Sequence, residues 1–443
     1  MMTPSRCRSL AGAAVLCCGL VGIGQPVRAE SLADVLVTAY ADNTELQAAR
    51  AQLRATDEGV PAALSGWRPT ATIEAEGGAG TEGDGHSDGL LGRAELRLSQ
   101  PLYTGGRVSG ATHEAENLVQ SQRAQLTAAE QQVLLEAVSV YMDVLRDESV
   151  LRLDGNHERI LQTQLASVRR RVAAGELTET DISQAQSRLA RATADRIQAE
   201  SNVSSSRAVY AKVVGAPPAT LTMPAMPADL PATEDEAVAD SAQHPDIIAA
   251  QFSERAARGN VQAIDGEMRP TISLDGIASS HNETAALLAQ VTIPLYEGGG
   301  DAARVRQSKE QLGQRRLDTE TQQRKAAADA ASAWYDLVAA RARIDSFQTQ
   351  AATAQKTVEG IRREEAQGQR TIHDVLDAED ESLDAQVSLV GARHDAVVAA
   401  YRLLAAVGHL TARDLALPVQ LYDPKQHYEA VREKWWGTDT VGQ

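Results

Sequence analysis

Asp374 and Asp377 stand three residues apart just beyond Gly368, and Thr180 with Asp181 stands just beyond Gly175. Taken alone, carboxylates in the first turn after a helix break suit one task, which is to face the positive end of a helix dipole. Covalent chemistry finds no foothold. There is no glycine-rich phosphate loop, no nucleophile elbow and no His/Cys cluster, so no enzyme is expected. His157, His281 and His373 lack the spacing of metal ligands, and neither a metal nor a cofactor is expected.

The elements that must position these residues occur twice. Pro101-Leu102-Tyr103-Thr104-Gly105-Gly106 returns 193 residues later as Pro294-Leu295-Tyr296-Glu297-Gly298-Gly299. The same 193-residue offset relates Tyr141-Met142-Asp143 to Trp334-Tyr335-Asp336, Gly175 to Gly368, and Asp181 to Asp374. An offset kept over such a distance marks an internal duplication, in which a supersecondary block far longer than a solenoid unit packs against its copy.

At the N-terminus, Arg6 and Arg8 precede an apolar run from Leu10 to about Ile23, and Val27-Arg28-Ala29 follows. This pattern predicts a secretory signal peptide over residues 1–29, cut after Ala29. The run is shorter than the roughly 20 residues a spanning helix needs. Cleavage removes Cys7, Cys17 and Cys18, leaving no thiol for a disulfide or a cysteine-bound metal. Leu16 and Cys17 stand where a lipoprotein signal needs a small residue, which argues against a lipid anchor. The formal charge of −17 becomes about −20 once Arg6, Arg8 and Arg28 leave, which argues against nucleic acid as a partner.

Aromatic residues make up only 3% of the 443-residue chain, too little for several well-filled globular cores. The hydrophobic content is carried mainly by Ala, Leu and Val, which favours long, closely packed helices. No proline interrupts Arg107 to about Ala174, and Val119, Leu126, Val133 and Val140 recur every seven residues. The pattern predicts one helix of about 65 residues or slightly more, roughly 100 Å long. After the break at Gly175, Thr178 to Val214 returns as a second helix, and Pro217 and Pro218 open a loop that runs to Pro231. The second half repeats this plan over Ala302–Ala366 and Thr371–Val407, with Leu376, Leu383, Val390, Val397 and Leu404 seven apart. A sustained seven-residue period means helix supercoiled on helix.

Shorter helical patterns at Leu32–Gly59 and Glu236–Asp265 extend the returning helices into columns as tall as the long ones. Between each short helix and the next long one the period changes to two. Thr70–Glu76 and Arg93–Ser99 alternate across a Gly/Asp-rich turn at Gly77–Gly89, and a second pair flanks a turn around His281-Asn282. In each pair one face is apolar and the other polar, as in a transmembrane hairpin with a polar lumen. Two hairpins give four strands, fewer than the eight of the smallest outer-membrane barrels, and open edges are not tolerated in lipid. Oligomerisation is therefore required. The domain plan is a first repeat at 30–230, with hairpins at about 68–104 and 105–214. A second follows at 231–410, with hairpins at about 268–297 and 301–409, and 411–443 wraps the junction.

The mature sequence resembles an outer-membrane channel of the TolC family along essentially its whole length. The resemblance rests on Gly368-Gln369-Arg370-Thr371-Ile372-His373-Asp374-Val375-Leu376-Asp377-Ala378, on Arg68-Pro69-Thr70, and on the duplicated Pro-Leu-Tyr-x-Gly-Gly motifs. It implies an α+β membrane protein with internal duplication. In such a homotrimer each chain gives four strands to one transmembrane β-barrel, continued by a long periplasmic α-helical barrel. It also implies an outer-membrane exit channel for efflux or type I secretion, working with a periplasmic adaptor (membrane fusion protein) and an inner-membrane transporter. Both drug efflux and protein export use such tubes. Carried over residue by residue, it makes Asp374 and Asp377 a pore constriction, with Gly175 and Gly368 at the hairpin tips. Arg370, Thr180, Asp181 and Glu365 then form an entrance lock. The family's best-known member has tyrosine where this chain has Glu365, so a contact with Asp181 is expected to repel and Arg370 to hold the closed state. The alternative is a periplasmic adaptor or coiled-coil scaffold. An adaptor, however, carries its helical hairpin inside a lipoyl-like domain with β-rich domains after it, whereas here the strands precede each helix pair.

Overall fold

The computed structural model of the protein describes residues 30–81, 88–280 and 284–440. The expected signal peptide and the turn at His281-Asn282 lie outside the described residues. The first repeat begins with α1 (Leu32–Asp42), α2 (Thr44–Asp57) and α3 (Gly59–Leu64). Strands β1 (Thr70–Thr81) and β2 (Asp88–Tyr103) follow, then the long helix α4 (Arg107–Ala173) and its return α5 (Glu179–Val214). The second repeat runs α6 (Glu234–Ser241), α7 (Pro245–Asp265), β3 (Thr271–Ser279), β4 (Thr284–Thr292), α8 (Gly300–Ala366) and α9 (Ile372–Ala406). A final short helix, α10, spans Gln426–Val431.

α4 and α8 have 67 residues each, which at about 1.5 Å per residue makes each close to 100 Å long. The duplication extends to backbone geometry. Gly105, Gly106, Gly175 and Gly215 all have positive φ, and each has a positive-φ glycine 193 residues on, at Gly298, Gly299, Gly368 and Gly408.

Each short helical column is two helices rather than one. Between α1 and α2 the Asn43 side chain accepts from the amides of Glu45 and Leu46 while its amide group donates to the Val213 carbonyl at 3.0 Å. Between α6 and α7, His244 caps the Asp246 amide and Pro245 occupies the first turn. Both breaks sit where the returning helix arrives: Asn43 meets the end of α5, and Gly408, just past α9, lies against His244 and Pro245. In the first column the apolar periodicity runs through the break, because the capped turn keeps α1 and α2 facing one core. That core joins Val35, Leu36 and Leu53 to Leu134, Val138 and Tyr141 of α4, with Tyr210 and Leu404 closing it.

The four strands form one antiparallel sheet in the order β1-β2-β3-β4, so β1 and β4 are its edges. The first hairpin is longer than its sequence pattern suggests. Gly77 pairs with Gly92 and the ladder continues to Thr81–Asp88, through most of the segment expected to be a turn. Glycine supplies both ladder groups but no side chain, so the alternation fades while the pairing persists.

Register aligns chemistry across all four strands. Ile73 lies opposite Leu96, Leu96 opposite Ala278, Leu98 opposite Gly276, and Gly276 opposite Leu287. On the other face Thr72 lies opposite Arg97, Ser99 opposite Asp275 and Ser273 opposite Gln290. The sheet is thus apolar on one side and mainly polar on the other, where Ile277 and Leu288 interrupt the polar row, and Leu287 and Ile73 on the apolar side are exposed over more than two thirds of their surface. Among the described residues no helix is long and apolar enough to cross a membrane.

Beyond α9, Leu410 and Ala412 enter the main core, and the segment then climbs along α2 and α4. Tyr422 donates its amide to the Tyr40 hydroxyl, His427 faces Asp57 at 3.0 Å, and Arg432 pairs with Glu116. The segment reaches the base of the sheet, where Arg68 donates to the Lys434 carbonyl.

Candidate functional site at the helical tips

Both long hairpins turn by the same device. At the end of α4, Glu176 donates its amide to the Arg171 carbonyl and Gly175 to that of Val172, both at 2.9 Å. At the end of α8, Gln369 donates to Glu364 and Gly368 to Glu365, also at 2.9 Å. This paired closure satisfies the last helical carbonyls and needs a left-handed residue at the turn, which is why Gly175 and Gly368 occupy it.

The next helix begins at once with a capping box. The Asp181 carboxylate accepts from the Thr178 amide and hydroxyl at 2.8 Å. The Asp374 carboxylate accepts from the Thr371 amide at 2.9 Å and hydroxyl at 2.8 Å, and the hydroxyl accepts in turn from the Asp374 amide. These donors, the backbone amide foremost, hold both carboxyls below the ordinary aspartate range. A depressed value stabilises the fold above the ordinary range, and that stabilisation is lost as pH falls through it. Within one chain, then, Asp374 and Asp181 perform the capping that their position predicts.

Asp377 does something else. Arg188 of α5 reaches across to α9 with both terminal nitrogens, one 2.5 Å from Asp377 and the other 2.6 Å from Asp380. His157 of α4 adds a contact to Asp380 at 3.1 Å. Asp377 remains two-thirds exposed. Arg370 pairs with Glu364 at 3.1 Å, and Thr180 is exposed. Glu365 does not face Asp181. It takes Arg171 of the other hairpin at 2.5 Å, while Arg171 also holds Glu176 at 3.2 Å. Asp181 is approached instead by His373 at 3.5 Å. Beneath these contacts Leu161, Leu165 and Val168 pack with Ile372 and Leu376, so the two tips share a small core.

The residues that bridge the hairpins, Arg171, Arg188 and His373, carry no local pattern. At the 193-residue offset Arg171 corresponds to Glu364 and Thr180 to His373, yet Arg171 bonds Glu365 and His373 approaches Asp181, each one residue along from the equivalent place. No group of His, Cys, Asp or Glu able to hold a metal ion occurs among the described residues.

A sheet with one apolar and one polar face, carried on two helical hairpins of such length, defines a membrane exit channel. The model of the outer membrane efflux protein family matches residues 35–216 and 240–409, and the chain belongs to that family. It is 37% identical to outer membrane efflux protein BepC of Brucella suis, over 98% of this chain and 97% of that one. Outer membrane protein TolC of Vibrio cholerae is 24% identical over 89% of this chain and 94% of its own length. The fold superposes on the crystal structure of the Campylobacter jejuni CmeC outer membrane channel with a TM-score of 0.78. That match covers 91% of this chain and 89% of the other at 14% identity. Family membership sets aside the adaptor and scaffold alternative.

Proposed function

We propose that the protein is a homotrimer whose barrel crosses the outer membrane and whose helical tube crosses the periplasm. In this reading it forms the exit channel of a tripartite efflux or type I secretion system. An inner-membrane transporter and its periplasmic adaptor deliver the substrate and supply the energy, and the chain is exported with a cleaved signal peptide. The observation that carries this is the sheet. Its apolar face is continuous across four strands while β1 and β4 are both edges. Edges cannot face lipid, and the smallest outer-membrane barrels need eight strands, so copies must close the sheet. Cross-linking after detergent extraction of the outer-membrane fraction is expected to give a heat-labile trimer. A product that stops at dimer overturns the proposal.

The tips are proposed as the periplasmic entrance, with Asp374 and Asp377 lining it and Arg370 reaching Thr180 or Asp181 of a neighbouring copy. Arg171 and Glu365 add a tie inside each chain where the expected repulsion between Glu365 and Asp181 is relieved. Arg171→Ala leaves Glu365 without its charged partner, and Arg370→Ala removes the contact between copies. Both are expected to raise single-channel conductance in planar bilayers, and the pair together more than either alone. Unchanged conductance in one variant removes that residue from the closed state.

A further inference from the structure

Three of the chain's four tryptophans, Trp67, Trp435 and Trp436, stand next to one arginine or next to the residue it stacks on, at the base of the sheet. Trp67 immediately precedes Arg68, and β1 begins two residues further on at Thr70. The Arg68 guanidinium lies over the Trp435 ring, 4.9 Å from its centroid, and donates to the Lys434 carbonyl at 2.8 Å. The indoles nonetheless face outward, with Trp435 55% and Trp436 85% exposed. Two such rings left in water are costly unless something apolar covers them.

The charge at this level is also unusual. Arg68 makes no ion pair with a carboxylate among the described residues, in a chain of formal charge −17. Its counterpart in the second repeat, Arg269 of Arg269-Pro270-Thr271, is paired with Asp265. The C-terminal segment supplies the difference, because, of these two arginines, it meets Arg68 and not Arg269.

We propose that Trp435 and Trp436, with Arg68, anchor the protein in the headgroup layer of the membrane leaflet facing the helices, the guanidinium taking a lipid phosphate. This rests on the barrel reading above. Tryptophan suits that layer because its ring enters the acyl boundary while its N–H stays hydrated. Arginine suits phosphate because its planar fork matches two oxygens. The position fits as well, since the apolar sheet face begins at Ala71, just above Arg68. The ligand is the phosphodiester of a bilayer, not a soluble phosphate and not a protein.

The test uses the full-length exported protein in vesicles of phosphatidylglycerol and phosphatidylethanolamine, with a fraction of lipids brominated near the headgroup in one set and deep in the acyl chains in another. Wild-type tryptophan fluorescence is expected to be quenched, and the Trp435→Phe/Trp436→Phe variant to lose at least about half of that quenching. Equal quenching in both proteins overturns the proposal. So does a pair reached by aqueous iodide and not by bromolipid, or a pair shielded from both by a neighbouring copy or another protein. Leu287→Trp in the double-variant background separates the two readings. Deep bromolipid quenching there, without a contribution from 435 and 436, rejects the anchor alone, whereas none at either place rejects the channel. Free inorganic phosphate is expected to leave the fluorescence unchanged.

Discussion

Replacing Asp374 and Asp377 together by asparagine is expected to weaken block by a polyvalent cation, added on the periplasmic side, by at least about tenfold. Two like charges about 4 Å apart repel by roughly 1 kcal/mol in bulk water and near 4 kcal/mol at an effective dielectric of 20, and a bound cation converts that repulsion into attraction. A tenfold change corresponds to about 1.4 kcal/mol, so even the weak end of this range is measurable with several carboxylates around one opening. Asparagine is the informative substitution because it retains a side-chain acceptor for the Thr371 cap while removing the charge. Arg188→Ala tests the same idea with the opposite sign. It releases the two carboxylates that Arg188 now holds, Asp377 and Asp380, and is expected to tighten the block. Blocking affinity in planar bilayers reads both variants. If the asparagine variant binds as wild type does, the carboxylates only cap and pair within each chain.

Valine at Gly110 is expected to abolish the folded trimer. A Cβ on Gly110 would stand 2.4 Å from the Ala263 amide nitrogen, and one on Gly259 would stand 2.6 Å from that of Glu114. These are backbone atoms of α4 and α7, which touch here with no side chain between them. Overpacking in a core that can shift costs about 1–3 kcal/mol. Two helices joined through backbone cannot shift locally, so the cost is expected to exceed that range. Recovery of heat-labile trimer from membranes measures it. Gly313, in the first quarter of α8 and well inside it, is the control, since nothing lies within 4 Å of a Cβ built there. Gly313→Ala is expected to be neutral or stabilising by up to about 1 kcal/mol, as for glycine in an exposed helix interior.

Features governed by local rules were readable from the chain. The ends of α4, α5, α8 and α9 fall within a residue or two of the expected bounds, because Gly175, Gly368 and the capping threonines mark them unambiguously. The breaks at Asn43 and His244 were not readable, since heptad-like apolar spacing continues through them and only the arriving ends of α5 and α9 require a cap there. Strand pairing beyond Glu76 escaped for the opposite reason: glycine there erases the alternation by which a strand is recognised. At the tips, Asp181 and Asp374 were identifiable from their offset. Their intrachain partners Thr178 and Thr371 follow from capping chemistry. Arg171 and Arg188 were hidden because their partners lie 194 and 189 residues away and are selected by how two hairpins cross.

The close approach of α4 to α7 has a mechanical meaning. Where backbone rests on backbone, the two helices have no soft layer to compress, so the top of the tube behaves as a fixed pivot. A rotation of about 5° there carries an end about 100 Å away through about 9 Å, because an unbroken helix transmits the angle along its length at about 1.5 Å per residue. The molecule is geared so that displacement is small near the sheet and large at the far helical tips. The side chains that join the two tips of each chain, Arg171 with Glu365 and Arg188 with Asp377 and Asp380, therefore resist with the longest moment arm in the structure.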